Sequence, residues 1–309
     1  MTLQQMRYAI VISDLGSMNK ASEVLYISQP SLTSAIHDLE KEAGIKLFYR
    51  SGRGVTPTAE GEEFLGYARQ VWHQYEQMMR TYGSDNRRKR KFGISTQHYS
   101  FATQAFINMA QECGTDEYEF AIRETKTGEV IDDVAAMKSE IGILYLSDFN
   151  RKVMLSLLKS KELEFVHLVD CDAYVYLWKG HPLAGRDSIG FEDLAEYPNL
   201  SFEQGAGGSF YFAEEILSTA DYPRRIKAND RATMLNLMRG LNGYTLCSGI
   251  ICNELNGGDY IAVPFRYDGD KGGEKAMEIG YIKKKNLILS HIARKYIEKL
   301  EEYLDSCGA

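Results

Sequence analysis

Apolar residues recur at helical spacing from the start of the chain. Leu3, Met6 and Ile10, with Tyr8 beside them, predict a helix over about residues 3–13, stopped by Gly16. Ser17 is placed to cap a second helix, with Ala21, Val24 and Leu25 facing inward and Tyr26-Ile27 forming a tight turn. Ser28 caps a third helix, and Pro30 sits early in it, where a missing amide hydrogen costs little. Leu32, Ile36 and Leu39 form the buried stripe of that helix, and Gly44 ends the run. Leu47-Phe48-Tyr49, the turn Ser51-Gly52-Arg53-Gly54 and Val55 then read as a small β-hairpin, or wing.

Thr58 opens a long helix with Glu60, Glu62 and Glu63 in its first turn, where the helix dipole favours acids. Phe64, Ala68, Val71, Tyr75, Met78 and Tyr82 follow at alternating spacings of four and three, a heptad seam that points to pairing with a second copy of the helix. The same spacing also suits a helix packed on its own domain. Gly83 to Asn86 and the basic run Arg87 to Lys91 carry no apolar residue and read as a linker.

Beyond residue 92 short apolar strands alternate with helices. Strands are expected near 92–96, 118–124 and 141–146, with helices over 101–112 and 128–138. A second set has strands near 164–169, 173–178, 224–229 and 243–248, with helices over 209–219 and 231–240. Strands near 260–265 and 278–283 and a helix near 290–305 complete the chain. This alternation predicts mainly parallel sheets in two α/β lobes with a cleft between them.

Composition narrows the function classes. A hydrophobic content of 44% is that of a globular protein, and no run approaches the length of a membrane span. The opening residues do not resemble a secretory signal, so the cytoplasm is the expected compartment, with no membrane partner. Five scattered cysteines, without a C-x-x-C pair, argue against both a disulfide framework and a zinc site, and neither metal nor cofactor is expected. The net charge of −7 is unevenly placed: residues 1–91 hold 13 Lys/Arg against 10 Asp/Glu, and residues 92–309 hold 23 against 33. The basic end is thus the helical front, suited to a polyanion.

Residues 1–65 closely resemble the LysR-type transcriptional regulators through Gly16-Ser17, Ala21, Leu25, Ser28-Gln29-Pro30-Ser31-Leu32, Ile36, Leu39-Glu40, Gly44, Leu47-Phe48, Arg50, Thr58 and Gly61. His181-Pro182-Leu183, Asp193-Leu194 with Tyr197-Pro198, and Gly240 to Ser248 look like landmarks of the same family. Ala9, Ala35 and Pro57 depart from its usual residues. The resemblance implies a chain that is α/β overall: an N-terminal winged helix-turn-helix (1–57), a dimerising linker helix and hinge (58–91), and a two-lobed α/β effector domain (92–309) resembling type 2 periplasmic binding proteins. The first lobe would take about 92–167 and 266–309, the second about 168–265.

The function expected is a sequence-specific DNA-binding transcriptional regulator, not an enzyme, switched by a small-molecule effector. In a helix-turn-helix the start of the second helix enters the major groove. The residues placed to contact DNA are Ser28, Gln29, Pro30, Ser31, Thr33, Ser34 and His37, with Arg50 on the backbone and Arg53 at the wing tip. Strand ends and helix starts make a cleft between lobes a natural ligand site. The candidates there are Thr96, Gln97, His98, Tyr145, Ser201, Gln204 and Thr245, for a carboxylate or another small metabolite. Gly205 to Gly208 could cradle a phosphate-like group, though a flexible turn ahead of Ser209 is the simpler reading. Double-stranded DNA, the effector, RNA polymerase and further copies of the chain, as dimer or tetramer, are the expected partners. Two alternatives stand beside this: a redox-sensing regulator using Cys247 and Cys252, and a solute-binding or enzymatic protein on the same α/β scaffold.

Overall fold

A computed structural model describes residues 1–51, 54–82, 90–114, 117–205, 210–266 and 277–307, the side chains of 80–82 apart. The chain forms two compact units, Met1–Arg88 and Lys89–Ala309.

In the first unit α1 (Leu3–Leu15) begins in a reciprocal cap between Thr2 and Gln5 and ends at Gly16, whose φ of 60° suits a residue without a Cβ. Ser17 caps α2 (Met18–Leu25), and Ser28 caps α3 (Gln29–Ala43) by accepting the Ser31 amide hydrogen at 3.3 Å. The strands β1 (Phe48–Ser51) and β2 (Gly54–Pro57) pair antiparallel. Ala9, Ile12, Leu32, Ile36, Leu39 and Leu47 are sealed from solvent and form the core. Thr58 accepts the Gly61 amide hydrogen at 2.8 Å at the start of α4 (Ala59–Tyr82). A Cβ on Gly61 would lie 2.1 Å from the Leu47 carbonyl oxygen, so this helix rests through a glycine on the residue that precedes β1.

Two expectations fail here. Val24 is 58% exposed rather than inward, because α2 buries Met18, Ala21 and Ser22 and packs Leu25 against the core, which leaves Val24 on the outer side. Ala68, expected on the pairing seam, is 2% exposed within its own unit, and Phe64 packs on the same core. The first half of α4 therefore serves its own domain, while Val71 (43%) and Met78 (51%) stay open to solvent.

The second unit is built on a five-stranded sheet ordered β4 (Tyr118–Glu124), β3 (Arg90–Thr96), β5 (Ile141–Leu146), β12 (Met277–Lys284), β6 (Leu163–Cys171). β3 is parallel to β4 and β5, and β12 is antiparallel to β5 and β6. Helices α5 (Ser100–Gln111) and α11 (His291–Ser306) bring Phe101, Ala105, Met109, Tyr296 and Leu300 into one core cluster. Helices α6 (Thr127–Ala135) and α7 (Arg151–Ser160) bring Val130, Val134, Met154 and Leu158 into another.

A three-stranded antiparallel sheet places β7 (Tyr174–Trp178) between β10 (Thr245–Cys247) and β11 (Tyr260–Pro264). A parallel pair joins β8 (Asn199–Phe202) to β9 (Arg225–Ala228), and α9 (Arg231–Leu241) covers it with Met234 and Met238. The short helices α8 (Phe191–Leu194) and α10 (Asn253–Asn256) complete the described elements.

The sheets are mixed, not mainly parallel, because β12 enters the first sheet against its neighbours and β7 is flanked by antiparallel partners. The helix expected over 209–219 is reduced, among its described residues, to a single 3-10 turn at Phe210–Phe212. Leu217 takes a φ of 56°, and the Ala213 and Glu215 carbonyls both accept from the Tyr145 hydroxyl, so the α-helical ladder is not made. The helix α7 was not anticipated, although Met154 and Leu158 stand one turn apart on its buried side. The strand expected over 243–248 shortens to β10.

Candidate nucleic-acid interface and effector cleft

On α3 the exposed row is Gln29, Pro30, Ser31, Ser34 and His37, with Thr33 half-buried beside it. Leu32, Ile36 and Leu39, at 0% exposure, fix which side faces out. Gln29, Pro30, Thr33, Ser34 and His37 line one open, shallow depression. Ser28 and Ser31 share a hydrogen bond between their hydroxyls at 2.7 Å, part of the cap, and both stay exposed. Arg50 is exposed on β1. Arg53 lies outside the described residues, as do Gly83 to Lys89, Ala206 to Ser209 and the Tyr82 side chain.

One exposed side chain in the turn before α3 was not anticipated as a candidate contact. Tyr26 is 95% exposed on a left-handed turn (φ 53°) between α2 and α3. Its position in a non-glycine turn is the signal that could have marked it.

In the second unit Gln204, Phe212, Ala213, Glu214 and Glu215 are bonded to the ends of β3 and β5 and the start of α6. The Glu214 carboxylate accepts from the His98 amide at 2.9 Å and lies 2.8 Å from His98 Nδ1. It also accepts from Gln204 Nε2 at 2.8 Å. The Thr127 amide donates to Gln204 Oε1 at 3.0 Å, and the Thr127 hydroxyl donates to the Phe212 carbonyl at 2.7 Å. Gln97 donates to the Thr127 hydroxyl at 2.6 Å and accepts from the Tyr145 amide at 3.2 Å.

A cavity of about 90 Å³ opens beside α9. His98 stacks flat on Phe202 at its wall, with centroids 3.8 Å apart. Thr245, Arg231, Glu214 and Glu215 supply polar groups, and Met234 and Met238 are among its apolar residues. Of the seven residues expected to hold an effector, His98 and Thr245 line this cavity. Ser201 and Gln204 line a neighbouring one that also receives Arg225 and Lys227. Gln97 and Tyr145 are buried and occupied by the bonds just given, and Thr96 is sealed at 0% exposure; these three line neither cavity. Glu214, Glu215, Arg231 and Asn256 were missed. The adjacent acids of Glu214-Glu215 inside an apolar run were the available signal.

The electrostatics follow from burial. Burial by itself lowers the pKa of His98, but the hydrogen bond and charge of Glu214 outweigh it and raise the imidazole above its ordinary value. Burial first, then the charge of Glu214, pushes the Glu215 carboxyl up to about 8, against the Phe202 amide that donates to it at 2.7 Å. Burial pushes the Cys247 thiol up to about 12 and raises Cys252 as well, which keeps both protonated and works against thiolate chemistry. Among the described residues no cysteine is joined in a disulfide. Among the described residues no group of His, Cys, Asp and Glu is arranged to hold a metal ion, and no helix is long and apolar enough to cross a membrane.

Comparisons with known proteins bear on both regions. The model of bacterial regulatory helix-turn-helix proteins of the lysR family matches residues 3–62, and the LysR substrate binding domain matches residues 116–304. The chain is 26% identical over 217 residues to the uncharacterized HTH-type transcriptional regulator YvbU of Bacillus subtilis, covering 68% of this chain and 69% of that protein. It is 42% identical over 77 residues to the nitrogen assimilation regulatory protein nac of Klebsiella aerogenes, a quarter (25%) of each chain. A solved full-length OxyR from Pseudomonas aeruginosa, carrying a cysteine-to-aspartate change, is 18% identical with a TM-score of 0.67, covering 98% of this chain and 94% of that one. That likeness speaks for the fold alone.

Proposed function

This chain belongs to the LysR family of bacterial helix-turn-helix regulators, and from that premise we propose how its parts divide the work. It is a DNA-binding transcriptional regulator with an effector-binding domain. In our reading residues 1–57 contact DNA, residues 58–91 link and pair, and residues 92–309 take the effector, in the cytoplasm and with no reaction of their own. Gln29, Ser31, Thr33, Ser34 and His37 face the major groove; Gln29 is the residue able to grip adenine through two hydrogen bonds. Ser28 and Arg50 hold phosphate. A second copy pairs through the exposed part of α4 at Val71 and Met78, with Tyr75 between them in the heptad spacing, which sets two α3 helices on a roughly two-fold symmetric site. RNA polymerase is the natural recipient of the signal.

The observation that carries the DNA reading is the row of exposed polar residues on α3, fixed in direction by three fully buried aliphatic residues. The effector reading rests on the cavity beside α9, where His98 and Thr245 meet. A ligand acts there only by binding two arrangements of the protein with different affinity.

The test is a gel shift of the full-length protein on promoter DNA across salt. Gln29→Ala is expected to weaken specific binding by roughly 5- to 150-fold, the range of one bidentate base contact, with non-specific binding unchanged. Absence of specific DNA binding by the intact protein at low salt would move the reading to a solute-binding protein on the same scaffold.

A further inference from the structure

Among the described residues four buried side-chain atoms capable of hydrogen bonding have no partner: Thr96 Oγ1, Arg231 Nε, Thr245 Oγ1 and Asn256 Oδ1. Three of these four belong to residues lining the single cavity beside α9. Isolated lapses in polar satisfaction are scattered in folded proteins; a cluster around one void marks a place where partners come from outside. The three atoms differ in kind. Arg231 Nε carries a hydrogen to donate, Asn256 Oδ1 only accepts, and the Thr245 hydroxyl does either.

The charges around the cavity are already matched. Arg231 is ion-paired through Nη2 with Glu124, and His98 is paired with Glu214 at 2.8 Å. The remaining acid, Glu215, has its carboxyl pushed up to about 8 by burial and by Glu214, which favours its neutral form at pH 7. Cys247 stays a thiol. The rest of the lining is neutral, with Met234, Leu235, Met238, Leu246, Ile250 and Ile251 giving it an apolar character. A carboxylate entering this space would find no unspent positive charge, would face two carboxyl groups, and would offer nothing to Asn256 Oδ1, because an ionised carboxylate only accepts.

We infer that the cavity takes an uncharged small molecule with an apolar body and a polar end that both donates and accepts, a carboxamide being the simplest such group. This goes against the carboxylate expected from helix starts at the cleft, and it rests on the reading of this unit as effector-binding. The acceptor of the ligand meets Arg231 Nε, its donor meets Asn256 Oδ1, and Thr245 completes whichever is left.

Thermal unfolding of the full-length protein with matched pairs tests it: benzamide against benzoate and isobutyramide against isobutyrate, each at millimolar concentration and neutral pH. The amides are expected to raise the melting temperature and to bind at least tenfold more tightly than their acids. Thr245→Val, equal in shape, is expected to weaken amide binding and, without ligand, to raise the melting temperature by a few degrees, since it removes an unpartnered buried hydroxyl. Stabilisation by the acids instead, binding by neither series, or a lowered melting temperature for ligand-free Thr245→Val would each overturn the inference. The same samples are run on promoter DNA. Intact specific binding with no amide effect overturns this inference alone, whereas loss of specific binding in the wild-type chain overturns the regulatory reading.

Discussion

On α3 the polar side chains face water and the aliphatic ones are packed, so the face assigned to DNA is maintained at no cost to the fold. Around the cavity beside α9 the arrangement is reversed: two carboxyl groups, an imidazole, a guanidinium and an unpartnered hydroxyl are drawn inside. The first surface is set by local caps and a stripe within fifteen residues of chain. The second depends on contacts such as His98 with Glu214, which stand 116 residues apart in sequence. A surface of the first kind can be altered without disturbing its scaffold. One of the second kind trades stability for binding wherever a polar group is buried.

The sharpest way to break this contrast is to put a charge into the stripe of α3. Ile36→Asp places a carboxylate at a position of 0% exposure and is expected to cost more than about 4 kcal/mol, enough to unfold the first unit. Hydrogen exchange on the full chain should then show protection lost across residues 1–82 and kept in β3, β5 and β12, with specific DNA binding abolished. Retained protection in α3 would mean that the stripe does not hold the helix.

Next in size is Glu214→Ala, which leaves His98 buried without its partner. A loss of about 3 kcal/mol is expected in the second unit, together with a fall in the His98 pKa, read by NMR titration of the ring. An unmoved titration would show that the imidazole draws its proton affinity from elsewhere.

Smaller, and opposite in sign, is Glu215→Gln. A carboxyl raised from 4.5 to about 8 by folding stabilises the folded state below pH 4.5, and that contribution is lost as pH rises towards 8. His98 runs the same way: its raised pKa contributes fully below pH 6.5 and is lost as pH rises through the folded value. The wild-type protein should therefore lose stability as pH rises from about 4.5 to about 8. Glu215→Gln keeps an acceptor for the Phe202 amide and should flatten that slope, gaining on the order of 2 kcal/mol at its upper end in denaturant unfolding. A slope unchanged by the substitution would remove Glu215 from the account.

The two regions were unequally legible in the chain. Caps at Ser17 and Ser28, glycines at 16 and 44 and the stripe Leu32, Ile36, Leu39 are signals a few residues long, and the helices they predict are the helices observed. The cleft was legible only as strand ends. Gln97 follows β3 as expected and Tyr145 lies near the end of β5, yet their polar atoms are taken by Thr127, Ala213 and Glu215. The expected helix over 209–219 failed for the same reason: its carbonyls and carboxylates bond to residues far away in sequence, and those bonds replace the local ladder.

By itself the sequence determined the order of elements at the front end, the outward face of α3, the uneven charge and the family to which the chain belongs, because each rests on spacing or on residue types close together. Tertiary structure alone decided that Ala68 and half of α4 serve their own domain, that β12 returns to run antiparallel between β5 and β6, and that Arg231, Thr245 and Asn256 meet at one cavity. The physical reason is that burial belongs to a neighbourhood: whether a polar atom finds a partner, and whether an acid keeps its proton, depends on chain segments that spacing does not bring together.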